Sequence, residues 1–169
     1  MMRAVVLTIS DSGWRGERVD RSGPAVKERL ESLGWQVAPV EVIPDEAASI
    51  SGRLAELADQ GIADAIFTTG GSGVAARDVT PEATLAVLEK EIPGLGEQMR
   101  AEGRKKTKLA ALSRATAGTR ARTLIVNLPG SPKGAVESLD AIVELAPHIV
   151  DLLRGKTEHP PDAKLDVVR

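Results

Sequence analysis

The fold of this chain is decided by Thr68-Thr69-Gly70-Gly71-Ser72-Gly73-Val74-Ala75-Ala76-Arg77-Asp78-Val79-Thr80-Pro81-Glu82. An apolar run at residues 64–69 leads into this segment and predicts a buried strand, and Thr80-Pro81 predicts the start of a helix. A strand that passes through a glycine-rich turn into a helix N-terminus forms an anion site, because free backbone N–H groups and the helix dipole point the same way. The segment therefore predicts an α/β fold and a phosphorylated ligand.

A second segment of the same kind is Asn127-Leu128-Pro129-Gly130-Ser131-Pro132-Lys133. It follows a predicted strand at residues 122–128 and opens a predicted helix at 132–153 that is interrupted near Pro147. Lys133 falls in the first helical turn, where a cation opposes the helix dipole, so anion binding would explain it and helix stability would not. A lysine that is merely exposed to solvent is the alternative.

Predicted strands and helices alternate along the rest of the chain. The apolar and helical spacings predict strands at 4–9 and 36–43, and helices at 24–33, 46–60, 81 to about 90, and 95–102. This order predicts a three-layer α/β/α sandwich with a mainly parallel sheet, built as a single domain over residues 1–155 and followed by a C-terminal tail at 156–169.

Four short polar segments fall at the carboxyl ends of the predicted strands, where open α/β sheets bind ligands. We therefore expect one shared cleft. Its segments are Ser10-Asp11, Pro44-Asp45, Thr69-Gly70-Gly71 and Asn127-Leu128-Pro129-Gly130.

Composition excludes several classes of function. The 169 residues carry a formal net charge of −2 and contain no cysteine, which excludes disulfides, thiolate metal sites and a cysteine nucleophile. No apolar run approaches the ~20 residues that span a bilayer. We therefore expect a cytoplasmic protein with small-molecule substrates, and neither nucleic acid nor membrane as a partner.

Carboxylates near the strand ends indicate a Mg²⁺-assisted reaction on nucleotide phosphates, because Mg²⁺ prefers oxygen ligands. The candidates are Asp11, Asp20, Asp45 and Asp78. Each also has a structural interpretation: Asp45 is placed to cap the helix at 46–60, and Asp78 could be a solvated loop residue next to a cap at Thr80.

A dinucleotide-binding motif is a weaker alternative. Gly71-x-Gly73-x-x-Ala76 matches its glycine pattern, but such glycines open directly into a helix, whereas here the helix signal comes only at Thr80. A nucleotide-dependent oxidoreductase is therefore disfavoured.

The glycine segment, followed by Arg77-Asp78-Val79-Thr80-Pro81-Glu82-Ala83-Thr84, resembles the signature of the molybdopterin adenylyltransferase family of molybdenum-cofactor biosynthesis. Further matching stretches follow in family order over roughly residues 4–155. They are Thr8-Ile9-Ser10-Asp11, Asp20-Arg21-Ser22-Gly23-Pro24, Ile43-Pro44-Asp45-Glu46, Pro93-Gly94, Leu112-Ser113-Arg114 and Asn127-Leu128-Pro129-Gly130-Ser131-Pro132.

The resemblance implies that molybdopterin attacks the α-phosphate of ATP in the presence of Mg²⁺, which gives adenylyl-molybdopterin and pyrophosphate. It implies that Asp45 and Asp78 are catalytic and bind the metal. It also implies a homotrimer and, as a candidate partner, the molybdenum-insertion protein of the pathway. A binding paralogue that has lost turnover is the alternative.

The remaining site residues divide between the two substrates. By resemblance, the nucleotide and phosphate contacts are Ser10, Asp20, Gly70, Gly71, Ser72 and Gly73. Those implied for molybdopterin are Ser113, Pro129, Gly130, Ser131, Pro132 and Lys133.

Overall fold

Strands and helices alternate as the sequence predicts over most of the chain. The computed structural model describes residues 1–156. The strands are β1 (Arg3–Ile9), β2 (Gln36–Val37), β3 (Glu41–Ile43), β4 (Ala65–Thr69), β5 (Lys90–Glu91), β6 (Ala117–Arg120) and β7 (Thr123–Leu128). The α-helices are α1 (Asp11–Trp14), α2 (Ser22–Ser32), α3 (Ala47–Asp59), α4 (Thr80–Leu85), α5 (Pro93–Arg104), α6 (Pro132–Asp140) and α7 (Ala146–Leu153), and 3₁₀ turns lie at Lys108–Leu112 and Val143–Leu145. The predicted tail at 156–169 lies, apart from Lys156, outside the described residues.

The strands of the described chain form one seven-stranded sheet in the order β2-β1-β4-β7-β6-β5, with β3 also paired to β1. β1 pairs in parallel with β2, β3 and β4, and β4 pairs in parallel with β7. Within residues 1–156, only the edge formed by β5 and β6 is antiparallel. The prediction of a mainly parallel sheet is therefore confirmed.

Helices cover both faces of the sheet, which produces two cores. Successive side chains of a strand point to opposite faces. Val6 and Phe67 accordingly pack with the apolar sides of α2, α5, α6 and α7, whereas Leu7 and Ile66 pack with α3 and α4. The three-layer prediction is confirmed. Within the described chain, no helix is both long and apolar enough to cross a membrane.

The predicted strand at 36–43 is in fact two short strands that both pair with β1. Val37 lies opposite Ala4 and Glu41 lies opposite Leu7, so four steps along one strand match three along the other. The extra residue and Pro39, which has no N–H to donate, explain the interruption.

One helix prediction was too long, and a second predicted helix is interrupted near Pro147 as expected. The helix predicted from 81 to about 90 ends at Leu85, because Lys90–Glu91 instead pairs with β6, a strand that the sequence analysis missed. The predicted helix at 132–153 divides into α6 and α7, and Pro147 lies in the first turn of α7. Proline is tolerated there because the first helical N–H groups have no intrahelical partner.

The glycine loop after β4 depends on two residues with left-handed backbone. Gly70 has φ +98° and Gly71 has φ +65°, a region that other residues rarely adopt. A Cβ on Gly70 would collide with the carbonyl oxygen of Ile9. Thr80 holds the loop from the other side, since its N–H donates to the Gly71 carbonyl (3.1 Å) and its hydroxyl donates to the Gly70 carbonyl (3.0 Å).

Substitution of Gly70 tests this close approach. Gly70→Ala should destabilise the protein by about 1–2 kcal/mol through backbone strain and by a further ~1–3 kcal/mol through the collision with Ile9. Gly34→Ala is the matched control, because Gly34 has φ +83° but open space where its Cβ would lie. Chemical denaturation measures both variants, and equal losses of stability would contradict the steric argument.

Candidate active site

The predicted cleft exists at the carboxyl ends of β1, β3, β4 and β7. Its volume is about 1050 Å³, which is large enough for two small ligands, since pockets for one ligand occupy ~300–1,000 Å³. In the described part of the chain, its wall includes five carboxylates (Asp11, Glu17, Asp20, Asp45 and Asp78) and three guanidinium groups (Arg15, Arg18 and Arg21). The wall is therefore polar, with an excess of negative charge.

A reciprocal pair of hydrogen bonds joins Asp11 and Asp45. The Asp11 N–H donates to Asp45 Oδ2 (2.8 Å), and the Asp45 N–H donates to Asp11 Oδ1 (3.0 Å). Because β1 and β3 are neighbours, their ends bring these two aspartates together. The structural interpretation of Asp45 as the cap of α3 is wrong. The N-cap position belongs to Glu46, which makes no side-chain capping bond.

Asp45 is half-buried, and burial raises the pKa of its carboxyl above the ordinary value of 3.8. The negative charges of Asp11 and Asp78 raise it further, whereas the Asp11 N–H and the charge of Arg77 act in the opposite direction. A Cβ on Gly71 would lie 3.2 Å from Asp45 Oδ1, so this carboxylate faces the glycine loop.

Asp78 lies against the same loop, next to Gly73, and lines the same cleft. Its Oδ2 accepts from the Ala75 N–H (2.9 Å) and lies 2.9 Å from where a Cβ on Gly73 would be. The sequence analysis gave Asp78 no structural contact and gave Thr80 the role of a cap. Both expectations were wrong: Asp78 closes a turn with Ala75, and the Thr80 hydroxyl binds the glycine loop.

Ser10 and Asp20 line the cleft beside the acidic pair. Ser10 caps the short helix α1, and its hydroxyl accepts from the Gly13 N–H (3.0 Å). Asp20 accepts from the Thr8 hydroxyl (2.7 Å) and from the Gly23 N–H (3.2 Å) at the start of α2. Both side chains therefore hold the loop between β1 and α2 against the cleft.

The structure brings most of the predicted site residues together, but not all. Those that line the cleft are Ser10, Asp20, Asp45, Gly70, Gly71, Asp78, Gly130, Ser131 and Pro132. Ser72, Gly73, Ser113, Pro129 and Lys133 are not among its lining residues. Ser72 is buried, and its carbonyl accepts from the Arg114 N–H (2.9 Å), which places Ser113 next to the glycine loop. The Lys133 side chain is 85% exposed, and its Nζ lies 3.9 Å from Glu137.

Arg77 is a site residue that was not predicted from the sequence. Its guanidinium Nη2 lies 2.7 Å from Asp11 Oδ2. Burial alone would raise the pKa of Asp11, but the hydrogen bond and charge of Arg77, with the Asp45 N–H, hold it below its ordinary value. The adjacency of Arg77 and Asp78 was the available signal, because both follow the same glycine turn.

An open α/β sheet with a glycine loop and a cleft at its strand ends is typical of proteins that bind phosphorylated small molecules. A family model described as "probable molybdopterin binding domain" matches residues 5–148. The chain therefore belongs to this molybdopterin-binding family.

Relatives with known names agree with this membership. The chain is 42% identical to the molybdopterin adenylyltransferase of Helicobacter pylori (strain J99), over 89% of this chain and 86% of the relative. It is 41% identical to that of Escherichia coli (strain K12), over 88% and 77%. It is also similar to the crystal structure of the molybdopterin biosynthesis enzyme MoaB from Thermus thermophilus, with 51% identity, a TM-score of 0.85, and coverage of 92% and 98%.

The buried charge of Asp45 predicts a pH-dependent cost to stability. Because the folded-state pKa is raised, this cost is absent below about pH 3.8 and develops as the pH rises through the folded-state value. In Mg²⁺-free buffer, Asp45→Asn should therefore raise the free energy of unfolding at pH 7, and this gain should shrink as the pH falls towards 3.8.

Asp59→Asn is a control of opposite sign. A hydrogen bond from Arg120 lowers the pKa of Asp59, so its stabilising effect is present above the ordinary value and is lost as the pH falls. Asp59→Asn should therefore lose stability at pH 7. Denaturant unfolding between pH 3.5 and pH 8 measures both variants, and a gain for Asp45→Asn that is independent of pH would contradict the burial argument.

Proposed function

We propose that this chain transfers the adenylyl group of ATP to the phosphate of molybdopterin and releases pyrophosphate. The observation that carries the proposal is the placement of Asp45 and Asp78 in one cleft, with each carboxylate against a glycine of the same loop. Membership of the molybdopterin-binding family and the names of the relatives support the choice of substrates.

Asp45 and Asp78 would hold Mg²⁺ that arrives with the nucleotide. Among residues 1–156, no group of three or more His, Cys, Asp or Glu side chains forms a complete metal site. Mg²⁺ suits this arrangement because it usually keeps several waters and is bound by one or two carboxylates together with substrate phosphates. The negative excess in the cleft also favours a nucleotide that carries a cation.

The nucleophile is a phosphate oxygen of molybdopterin, which is ionised at neutral pH and needs no strong general base. It forms a bond to the α-phosphorus of ATP as the bond between that phosphorus and the oxygen bridging to the β-phosphate breaks. Transfer of this kind depends on positioning and on charge stabilisation. The backbone N–H groups of the glycine loop would supply fixed donors, and the bound Mg²⁺ would neutralise developing negative charge.

We assign the two substrates to different parts of the cleft. Ser10, Asp20 and residues 70–73 would contact the nucleotide and its phosphates. The molybdopterin side would lie at residues 129–133, where Gly130, Ser131 and Pro132 line the cleft, and at Ser113 beyond the glycine loop. Lys133 would reach this side only if its exposed side chain leaves Glu137.

Two alternatives remain distinct from this proposal. A binding paralogue without turnover would share the fold, but retention of both Asp45 and Asp78 favours an enzyme. An oxidoreductase that uses a dinucleotide requires a helix that opens at the glycines, whereas α4 begins only at Thr80.

We further propose a cytoplasmic homotrimer that delivers its product to the molybdenum-insertion protein of the pathway.

The test is formation of adenylyl-molybdopterin and pyrophosphate from molybdopterin and ATP. Product should require Mg²⁺, and Mg²⁺–ATP should stabilise the protein by ~2.7 kcal/mol at one hundred times its dissociation constant. NAD serves as the control ligand in the same thermal-shift experiment. Stabilisation by NAD, with none by Mg²⁺–ATP, would refute the proposal; ATP binding without product would identify the inactive paralogue.

Asp78→Asn separates chemistry from stability. The amide keeps an acceptor for the Ala75 N–H but removes the charge, so turnover should fall by ~10²-fold or more, while stability should change by less than ~1 kcal/mol. Asp59 forms an exposed ion pair with Arg120, and Asp59→Asn should leave turnover unchanged. A folded Asp78→Asn protein with near-normal turnover would remove Asp78 from the mechanism.

A further inference from the structure

Arg114 connects the two ends of the loop segment that carries Asp78. Its Nε donates to the Gly73 carbonyl (2.7 Å), and its Nη2 donates to the Asp78 carbonyl (2.8 Å). The Arg114 backbone N–H also donates to the Ser72 carbonyl (2.9 Å). One planar group therefore fixes the distance across residues 73–78.

Residues 74–77, between these two anchored ends, are exposed, and the Arg77 side chain forms an ion pair with Asp11. Inside the segment, the Ala75 N–H donates to Asp78 Oδ2 (2.9 Å), and the Asp78 N–H donates to the Ala75 carbonyl (3.0 Å). This local turn orients the Asp78 carboxylate relative to its own backbone. The position of that backbone in the cleft depends on the contacts made by Arg114, on the ion pair between Arg77 and Asp11, and on the start of α4.

Glu82 holds the guanidinium in the bridging orientation. Its carboxylate pairs with Arg114 Nη1, and this hydrogen bond lowers the pKa of Glu82, so the pair is charged at neutral pH. Arg114 thereby contacts α4 as well as both ends of the loop. A guanidinium suits this role because its rigid fork presents several N–H donors at fixed angles.

We propose that Arg114 is a positioning residue that sets the place of the Asp78 carboxylate in the cleft. The inference rests on the proposed catalytic role of Asp78, and it assigns to Arg114 an effect on turnover that is exerted only through Asp78. No contact between Arg114 and a substrate is required.

Arg114→Met tests this role, because it keeps an unbranched apolar stem and removes every donor of the guanidinium. Turnover should fall by about 10²-fold, the scale of a misplacement of ~1 Å at a reacting centre, and more Mg²⁺ should be needed for half-maximal turnover. Arg114→Lys should not restore turnover, because one ammonium lacks the fork that bridges two carbonyls. Full turnover in Arg114→Lys would overturn the bridging argument.

Arg120→Met is the matched control. Arg120 also combines an ion pair, with Asp59, and a hydrogen bond to a backbone carbonyl, that of Val87 (3.1 Å), but neither of these partners lines the cleft, whereas Asp78 does. It should lose stability to a similar extent as Arg114→Met and keep wild-type turnover. Equal loss of turnover in both variants would show that Arg114 acts only through general stability.

The double variant Arg114→Met/Asp78→Asn tests whether the effect passes through Asp78. With the carboxylate already removed, the loss of Arg114 should change turnover by no more than about two-fold, because residues that act as a unit are not additive. A second loss of about 10²-fold, multiplied onto the first, would overturn the proposal and indicate that Arg114 acts on its own.

Amide hydrogen exchange tests the contacts by which Arg114 bridges the Gly73 and Asp78 carbonyls, here called the Arg114 clamp, without any assay of activity. Arg114→Met should speed exchange at Ala75 and Asp78 by at least about tenfold, the effect of losing one hydrogen bond to a charged group, whereas Arg120→Met should leave these amides unchanged. Unchanged exchange in Arg114→Met would refute the clamp. If the wild-type protein forms no adenylyl-molybdopterin but the exchange result holds, the proposed function fails and the clamp stands.

Discussion

The absence of a side chain at Gly70 is the constraint on which the site depends. At the end of β4 the chain turns across the end of β1 so closely that any Cβ would strike the Ile9 carbonyl. This close turn keeps the following loop over the carboxyl ends of the strands, where Asp45 faces it at Gly71 and Asp78 faces it at Gly73. A wider turn would carry Asp78 away from the strand ends. The left-handed backbone at Gly70 and Gly71 is thus the condition for an acidic site at this place.

Two neighbouring carboxylates of the cleft, Asp11 and Asp45, have pKa values shifted in opposite directions. Asp11 is paired with Arg77, which holds its pKa down despite burial, whereas burial raises the pKa of Asp45. Reciprocal backbone hydrogen bonds engage both carboxylates, but only Asp11 also pairs with a guanidinium, so in the described chain Asp45 is the one without an ion-pair partner. Carboxylates whose pKa values are shifted by burial and by neighbouring charges tend to mark functional sites, because catalysis and ligand binding depend on such shifts.

The sequence predicted the parallel core of the fold well because long apolar runs and glycine turns carry strong local signals. β1, β4 and β7 are such runs, and the loops that follow them were expected to converge. The edge formed by β5 and β6 escaped prediction, because Lys90–Glu91 and Ala117–Arg120 are short and lack a run of large apolar residues. Their pairing is set by tertiary contacts that no local pattern encodes.

The candidate site likewise contains residues that a local sequence signal predicts and contacts that have no such signal. Asp45 and Asp78 could be predicted because each follows a strand or a glycine turn in the sequence. The clamp by Arg114 could not, because its partners at Gly73, Asp78 and Glu82 lie more than thirty residues away along the chain. Two of those partners are backbone carbonyls, which leave no trace in residue type.

The strands at both edges of the sheet are very short, and this limits how the protein can associate with other chains. β2 and β5 contribute two residues each, β3 contributes three, and the outermost strand on one side is Lys90–Glu91. Short, charged edges give an incoming strand few free N–H and C=O groups to pair with. Extension of the sheet from one molecule to the next is therefore disfavoured, which protects the protein against fibrous aggregation. Any specific assembly would have to use helix faces and loops.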